Sequence, residues 1–252
     1  MPKESGLGDR LFVAGYNLSG DIGSLGRIGG GLTGTQETTG IDKSAYERVG
    51  LARDGSLEYV AYFNPDPNRA HSRLSLLPTA DQVLTYCRGT SLGAPAASMV
   101  GKQINYDPSR AADGSLTIAV QALANGYGID WGRLLTAGVR TDTGATNGSS
   151  VDFGTGSTNF GLQAFLHVTA FTGTDATIKI QESSDNGGAD AWADVAGGAF
   201  ITVTSGPTSQ RIETGRTQTV ERYLRVVTTT SGGFSSLSFL VAVTRNDVSV
   251  VF

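Results

Sequence analysis

The 252 residues include only two histidines and one cysteine, so few side chains can do acid–base or nucleophilic chemistry near neutral pH. His71 falls in NPDPNRAHSRLSLLP, whereas His167 alternates with Leu166 and Val168 in a strand pattern. Both read as structural or solvent-facing side chains rather than ligands. Cys87 lies inside the strand pattern QVLTYCRG and reads as a buried, inert thiol. No C-x-x-C or H-E-x-x-H spacing occurs, so no zinc site is expected. No G-x-S-x-G elbow is present to expose a nucleophilic serine. The run GRIGGGLTGT (Gly26–Thr35) has the glycines of a phosphate loop, but no Lys-Ser/Thr and no apolar helix follow it. Asp185, Asp190 and Asp194 offer oxygens to a hard cation, yet they lack the glutamate and spacing of a calcium loop. The plainer reading there is an Asn186-Gly187 hairpin with Trp192 packed at its base. A glycosidase would need two carboxylates facing each other across a cleft, and the sequence locates no such pair. The chemistry-bearing residues thus predict no enzyme, no metal and no cofactor.

The elements that would position these residues are mostly strands. Glycine contributes 35 residues, threonine 28 and serine 23, with only 17% charged. Such a composition suits pleated sheets joined by many turns and excludes a coiled coil. No apolar run approaches the length of a membrane span, and MPKESGLGDRLF lacks the apolar stretch of a secretory signal. The net charge is −4, with the acidic excess confined to residues 141–252, so the chain carries no electrostatic footprint for wrapping DNA. A single cysteine fits a reducing compartment.

Residues 1–40 combine frequent glycine with spaced apolar anchors (Leu11, Phe12, Val13, Ile22, Leu25, Ile28), the pattern of an extended arm ordered by partners. Residues 41–140 read as a β domain. In it DGSL occurs twice, at Asp54–Leu57 and Asp113–Leu116, each time as an Asp-Gly turn opening an apolar strand. Leu57, Tyr59, Ala61 and Phe63 alternate with Glu58, Val60 and Tyr62; Leu116, Ile118, Val120 and Ala122 alternate with Thr117, Ala119 and Gln121. Between residues 67 and 77 a short helix is expected, capped by Asp66, stopped by Pro78 and buried through Ala70, Leu74 and Leu77. Residues 141–159 are rich in Gly, Ser, Thr and Asn and read as a linker. Residues 160–252 read as a β-sandwich with strands in LQAFLHVTAF, ATIKIQES, AFITVTS, RYLRVVTT and SLSFLVAVT.

Two stretches, GIDKSAYERVGLARDGSLEYVAYFNP (Gly40–Pro65) and GAPAASMVGKQINYDPSRAADGSLTIAVQALANGYGIDWGRLLTAG (Gly93–Gly138), resemble the major tail proteins of tailed bacteriophages, particularly those of actinobacterial hosts. FTGTDATIKIQESSDNGGADAWADVAGGAF and RYLRVVTTTSGGFSSLSFLVAVTRN are similar to the β-sandwich part of such proteins. The resemblance implies an all-β tail-tube fold, barrel or sandwich, with a short flanking helix and a C-terminal β-sandwich. It implies a virion tail subunit, made in the host cytoplasm, that polymerises as stacked hexameric rings. Its partners would be its own copies, a tape measure and a terminator protein, with phage DNA passing through unbound and no membrane involved. Within that picture, alternation points Glu58, Thr117 and Gln121 to the lumen, where a wall that is not basic lets DNA slide. The same faces also suit outer solvent or a subunit seam. A capsid decoration protein or a glycan-binding adhesin is the alternative reading.

Overall fold

The computed structural model describes residues 5–78 and 80–250. Among them it has eighteen strands and one short helix. The first strands are β1 (Arg10–Val13), β2 (Tyr16–Asn17), β3 (Ile22–Leu32), β4 (Thr35–Glu37), β5 (Arg48–Gly50) and β6 (Arg53–Tyr62). Helix α1 (Ala70–Leu74) precedes β7 (Gln82–Cys87), β8 (Pro95–Gln103), β9 (Asp107–Arg110) and β10 (Leu116–Leu134). Then come β11 (Arg140–Asp142), β12 (Thr146–Asp152), β13 (Leu162–Gly173) and β14 (Thr177–Ser183). The last are β15 (Ala193–Ala199), β16 (Thr208–Glu213), β17 (Tyr223–Thr229) and β18 (Phe234–Arg245). The all-β expectation with one short helix is therefore met, in open sheets rather than a closed barrel. Two compact units result. The first holds the described residues of Met1–Gly20, Gln82–Ser98 and Asp130–Val251; the second holds those of Asp21–Asp81 and Met99–Ile129.

In the first unit β13 lies between β16 and β18, with Leu166 opposite Gln210 on one side and Val241 on the other. A four-stranded sheet runs in the order β12-β17-β14-β15. Alternation decides which side chains meet. Ala164, Leu166 and Val168 of β13 and Leu237, Phe239, Val241 and Val243 of β18 pack on Ile178, Ile180, Val195, Leu224 and Val226 of the smaller sheet. This is the expected sandwich. The other faces of β10 and β18 also find cover: Leu134, Leu240 and Ala242 cluster with Phe12, Cys87 and Ala96.

The N-terminal segment is thus not a free arm. Leu11, Phe12 and Leu18 are core side chains, and β1 pairs with β7 from Arg10↔Cys87 to Val13↔Leu84. Residues 141–159 also differ from a linker. They contain β12, whose Val151 is buried in the sandwich core, so the small polar residues there occupy an edge strand. The stretch AFITVTS forms only an isolated bridge at Val203; the paired strand is β15, just before it.

In the second unit β6 lies between β3 and β10 and shares β10 with β9. The two DGSL segments part company here. Asp113-Gly114 makes the expected turn, with Gly114 at φ +91° and the Ser115 N–H donating to Asp113 Oδ1 at 2.9 Å. Asp54–Leu57 lies inside β6, because the chain continues from the ribbon β4–β5 already paired. The alternating run that opens at Leu116 continues to Leu134 as one strand, β10, which turns through Gly126 and Gly128 at positive φ. Helix α1 is shorter than expected. Its cap is not Asp66: Asp21 Oδ2 accepts the Ala70 N–H at 3.0 Å. Ala70 and Leu74 are buried as expected, whereas Leu77 lies past the helix and is exposed.

Candidate functional site

Antiparallel pairing of β6 with β10 sets Gln121 opposite Glu58 and Thr117 opposite Tyr62. Period-two geometry then gathers Glu58, Val60, Tyr62, Thr117, Ala119 and Gln121 on one face. Leu57, Tyr59, Ala61, Ile118, Val120 and Ala122 are buried on the other. The three residues singled out from the sequence therefore share a face. Gln121 Nε2 donates to Glu58 Oε1 at 3.1 Å. The Gln121 N–H donates to Asn105 Oδ1 at 2.6 Å, and Asn105 Nδ2 to Asp107 Oδ2 at 2.6 Å. Thr117 lies four residues along β10 from this network, level with exposed Tyr62.

Glycine keeps the face open. In β3, Gly23 lets the Tyr62 ring lie across the strand, since a Cβ there would come within 2.9 Å of the ring. Gly29, opposite Ser56, has open space where a Cβ would stand. Two hollows of about 330 Å³ each adjoin Gln121. One is bounded by Glu58, Asn105 and Gly26; the other by Arg27, Asp54, Ser56 and Leu123. The Ser56 hydroxyl is buried beside the second hollow with no protein partner, a position water can satisfy. Arg27, Asp54 and Asn105 escaped the sequence reading because their place depends on pairing between segments far apart in the chain. The run Gly26–Thr35, which has the glycines of a phosphate loop, lies mostly in β3. Carboxylates and guanidinium alternate on this face, so it offers no basic track for phosphate.

The other candidates lie apart from it. His71 Nδ1 and the Tyr106 hydroxyl are joined by a hydrogen bond of 2.6 Å, and the His71 ring lies tilted against Phe63 with centroids 4.3 Å apart. Cys87 is buried, and burial first, then the nearby Asp9 carboxylate, pushes its thiol up to about 12. Such a thiol supplies no thiolate near neutral pH. Asp185 accepts backbone N–H bonds from Asp190, which reaches both its oxygens, and from Ala189 and Gly188, and these hold its carboxyl below the usual range. Asp190 accepts the Ser184 N–H, and Asp194 takes Lys179 and Gln181. The three carboxylates have thus gone to separate partners around the hairpin, where Trp192 packs beside Gly187 as expected and Arg225 covers its ring at 4.4 Å.

A second feature of this unit has no counterpart in the sequence reading. Beyond Leu32 and Arg53 the ladder continues as the two-stranded ribbon β4–β5, from Thr35↔Gly50 to Glu37↔Arg48. Leu32, Ile41, Tyr46, Val49 and Leu51 are exposed along it.

No family model matches the sequence, and no curated protein matches it. Among solved structures, the chain aligns with the SPP1 Dit protein, titled a paradigm of hub adsorption apparatus in Gram-positive infecting phages. The alignment covers 94% of this chain and 99% of that one, at 10% identity and a TM-score of 0.33. It also aligns with a chain of the phage p2 baseplate in its activated conformation, over 95% and 99% of the two chains, at 11% identity and a TM-score of 0.30. Superpositions this loose carry no function over to this chain.

Proposed function

We propose that this chain is a structural protein of a bacteriophage tail, and within the tail the tube subunit whose hexameric rings stack into the DNA conduit. The observation that carries the reading is the ribbon β4–β5. A two-stranded ribbon is marginal on its own in water, and this one spends five large apolar side chains on solvent. A second copy of the chain covering that ribbon would remove both costs. The sequence resemblance over Gly40–Pro65 and Gly93–Gly138 includes β5 of the ribbon and the strands β6 and β10. The β3 edge supports the same reading. It is eleven residues long, paired on one side by β6, and has a single charge to discourage another strand.

In this reading no residue is catalytic, and the Glu58–Gln121 face is a wall. Its mixed charge leaves DNA free to pass, since no row of cations releases counterions on contact. The protein would reside in the virion tail after assembly in the host cytoplasm, beside a tape measure and a terminator.

Negative-stain microscopy of the purified full chain tests this. Six-fold rings stacked into tubes are expected. Replacing Gly34–Leu51 with an Asn-Gly turn after Thr33 should leave folded protein that no longer stacks. Single rings from the intact chain would keep the tail role and remove the tube. Compact monomers or trimers at high concentration would overturn both and favour a decoration protein or adhesin.

A further inference from the structure

His167 belongs neither to the polar face nor to the ribbon. It is 0% exposed on β13, and both ring nitrogens are engaged within the first unit. Nδ1 accepts the backbone N–H of Gly15 at 3.2 Å. That assignment puts the ring proton on Nε2, which donates to Thr85 Oγ1 at 2.9 Å. Thr85 in turn shares a hydrogen bond with Ser98 Oγ at 2.9 Å. Gly15 lies in the tight turn between β1 and β2, at φ +87°, with the Thr208 backbone where a Cβ would be. Phe12 of β1 packs on the imidazole, ring centroids 5.7 Å apart.

The two nitrogens respond differently to acid. An added proton must go to Nδ1, the atom that receives the Gly15 N–H. Two donors would then point at each other. The bond from Nε2 to Thr85 survives protonation unchanged. We propose that His167 is an acid-released latch for the N-terminal hairpin: a proton on Nδ1 and the bond from Gly15 exclude each other, so acid frees β1–β2 while Thr85 stays held. Release also strips β1 from β7 and leaves the outer edge of that strand able to pair with another chain.

Just before β1, Asp9 accepts from the Tyr86 hydroxyl and the Arg88 guanidinium, so the slope belongs to His167 only if His167→Asn removes it. The ionisable groups on the packed elements are Arg10 and Tyr16 beside the turn, Tyr86 and Cys87 on β7, Arg211 and Glu213 on β16, and Arg245 at the far end of β18. The part of β8 in this unit carries none, and β13 carries only His167. The ring's polar partners are Gly15 and Thr85 alone among the described residues. Burial by itself depresses the imidazole to about 3, so the closed latch stays neutral through mild acid.

Hydrogen exchange of the intact protein between pH 7.5 and 4.5, corrected for intrinsic rates, reads the latch directly. Because one proton is taken up on opening, the protection of residues 10–17 should fall about tenfold per pH unit below the ordinary histidine pKa of about 6.5. The loss approaches a hundredfold at about pH 4.5, and at each pH the hairpin should exchange through an opening far more frequent than the global unfolding that exposes β14 and β17. His167→Asn, which keeps an acceptor for Gly15 but takes up no proton, should abolish the slope. Thr85→Val should keep it. Protection of the hairpin that ignores pH, a slope that survives in His167→Asn, or hairpin protection equal to that of β14 and β17 at every pH would each overturn the latch. If His167→Asn does not fold, imidazole 15N shifts of the native protein decide instead. Titration of Nδ1 near 6.5 with the Gly15 amide still protected sinks the proposal; an unprotonated Nδ1 whenever that amide is protected supports it.

Discussion

The four-stranded sheet of the first unit and the β3-β6-β10 ladder of the second are both antiparallel, yet different forces fix them. In the first, β14 and β17 alternate through their central residues: Ile178, Ile180, Leu224 and Val226 are fully buried, and Lys179, Gln181, Tyr223 and Arg225 are not. A one-residue slip would turn that apolar set to solvent, so burial sets the register. In the second, β3 has no fully buried side chain and is held to β6 through two register shifts, Ile22/Ser24 and Leu25/Ile28. There the ladder itself and the clearance given by glycine set the geometry. A sheet fixed by its core resists change, whereas one fixed by pairing along an open edge can be remodelled or extended by a partner.

The largest contrast should come from deleting side-chain volume. Leu224→Ala in the sandwich should cost about 2–5 kcal/mol, as cavities in packed cores do. Leu32→Ala, on the exposed stretch beyond the face, should stay within about 0.5 kcal/mol. Urea denaturation of both variants measures the difference. Equal costs would mean that the ribbon is packed rather than open.

Acid should separate the regions next. His167 is neutral when buried, with its pKa lowered to about 3, and ordinary at about 6.5 when unfolded. The unfolded chain therefore binds one more proton between those values, and stability falls as pH falls through that window. The slope contributed is at most about 1.4 kcal/mol per pH unit. Asp152, Asp175, Asp185 and Asp194, whose carboxyls are held low in the folded unit, add their own loss toward pH 4.5, so the histidine's share is the difference between melts of the native chain and of His167→Asn. The first unit should lose stability over that range and His167→Asn should lose much less.

Legibility in the sequence follows the same division. Where one face is buried, as in β14, β17 and β18, alternation marked the strands and the sandwich. Glu58 and Gln121 lay on the polar sides of two alternating runs, so it could be read that both point away from the core. What could not be read was context. DGSL is a turn at Asp113 and a strand interior at Asp54, because the Asp54 copy is already paired with β3 when it begins. Glycine and polar residues gave no hydrophobic period in β3 or β12, so these strands passed for arm and linker. The caps of α1 came from Asp21, far away in sequence, and the Gly15–His167 bond joins residues 152 positions apart. Pairwise chemistry over such distances leaves no local signal.

Two glycines sharpen the contrast at smaller scale. A Cβ at Gly148 of β12 would stand 2.2 Å from the Arg140 guanidinium and 2.6 Å from the Val226 carbonyl. The second neighbour is backbone and cannot move aside. Gly148→Ala should therefore cost about 1–3 kcal/mol, the range for overpacking. Gly29→Ala on β3 meets open space at an ordinary φ. By restricting the unfolded chain it should stabilise by about 0.4–1 kcal/mol. Paired melts of the two variants check both signs, and a destabilising Gly29→Ala would mean that β3 already lies under something.

The smallest effect on folding is expected at Gln121→Lys, and it bears most on function. The side chain is partly exposed and gives up one bond to Glu58, while the new ammonium keeps that carboxylate within reach. Stability should move by no more than about 0.5 kcal/mol, as for ordinary surface changes. Rings and tubes should assemble as before. If the Glu58–Gln121 face lines the conduit, each ring then gains six cations along the path of DNA. Ejection from assembled tails should slow, and more so at low ionic strength, where the Debye length grows from about 10 Å at 0.1 M to about 30 Å at 0.01 M. Unchanged ejection at both salt concentrations would move this face to the outside of the tube or to a seam between subunits. The mixed charge of Glu58, Arg27 and Asp54 would then serve contact between copies rather than passage of DNA.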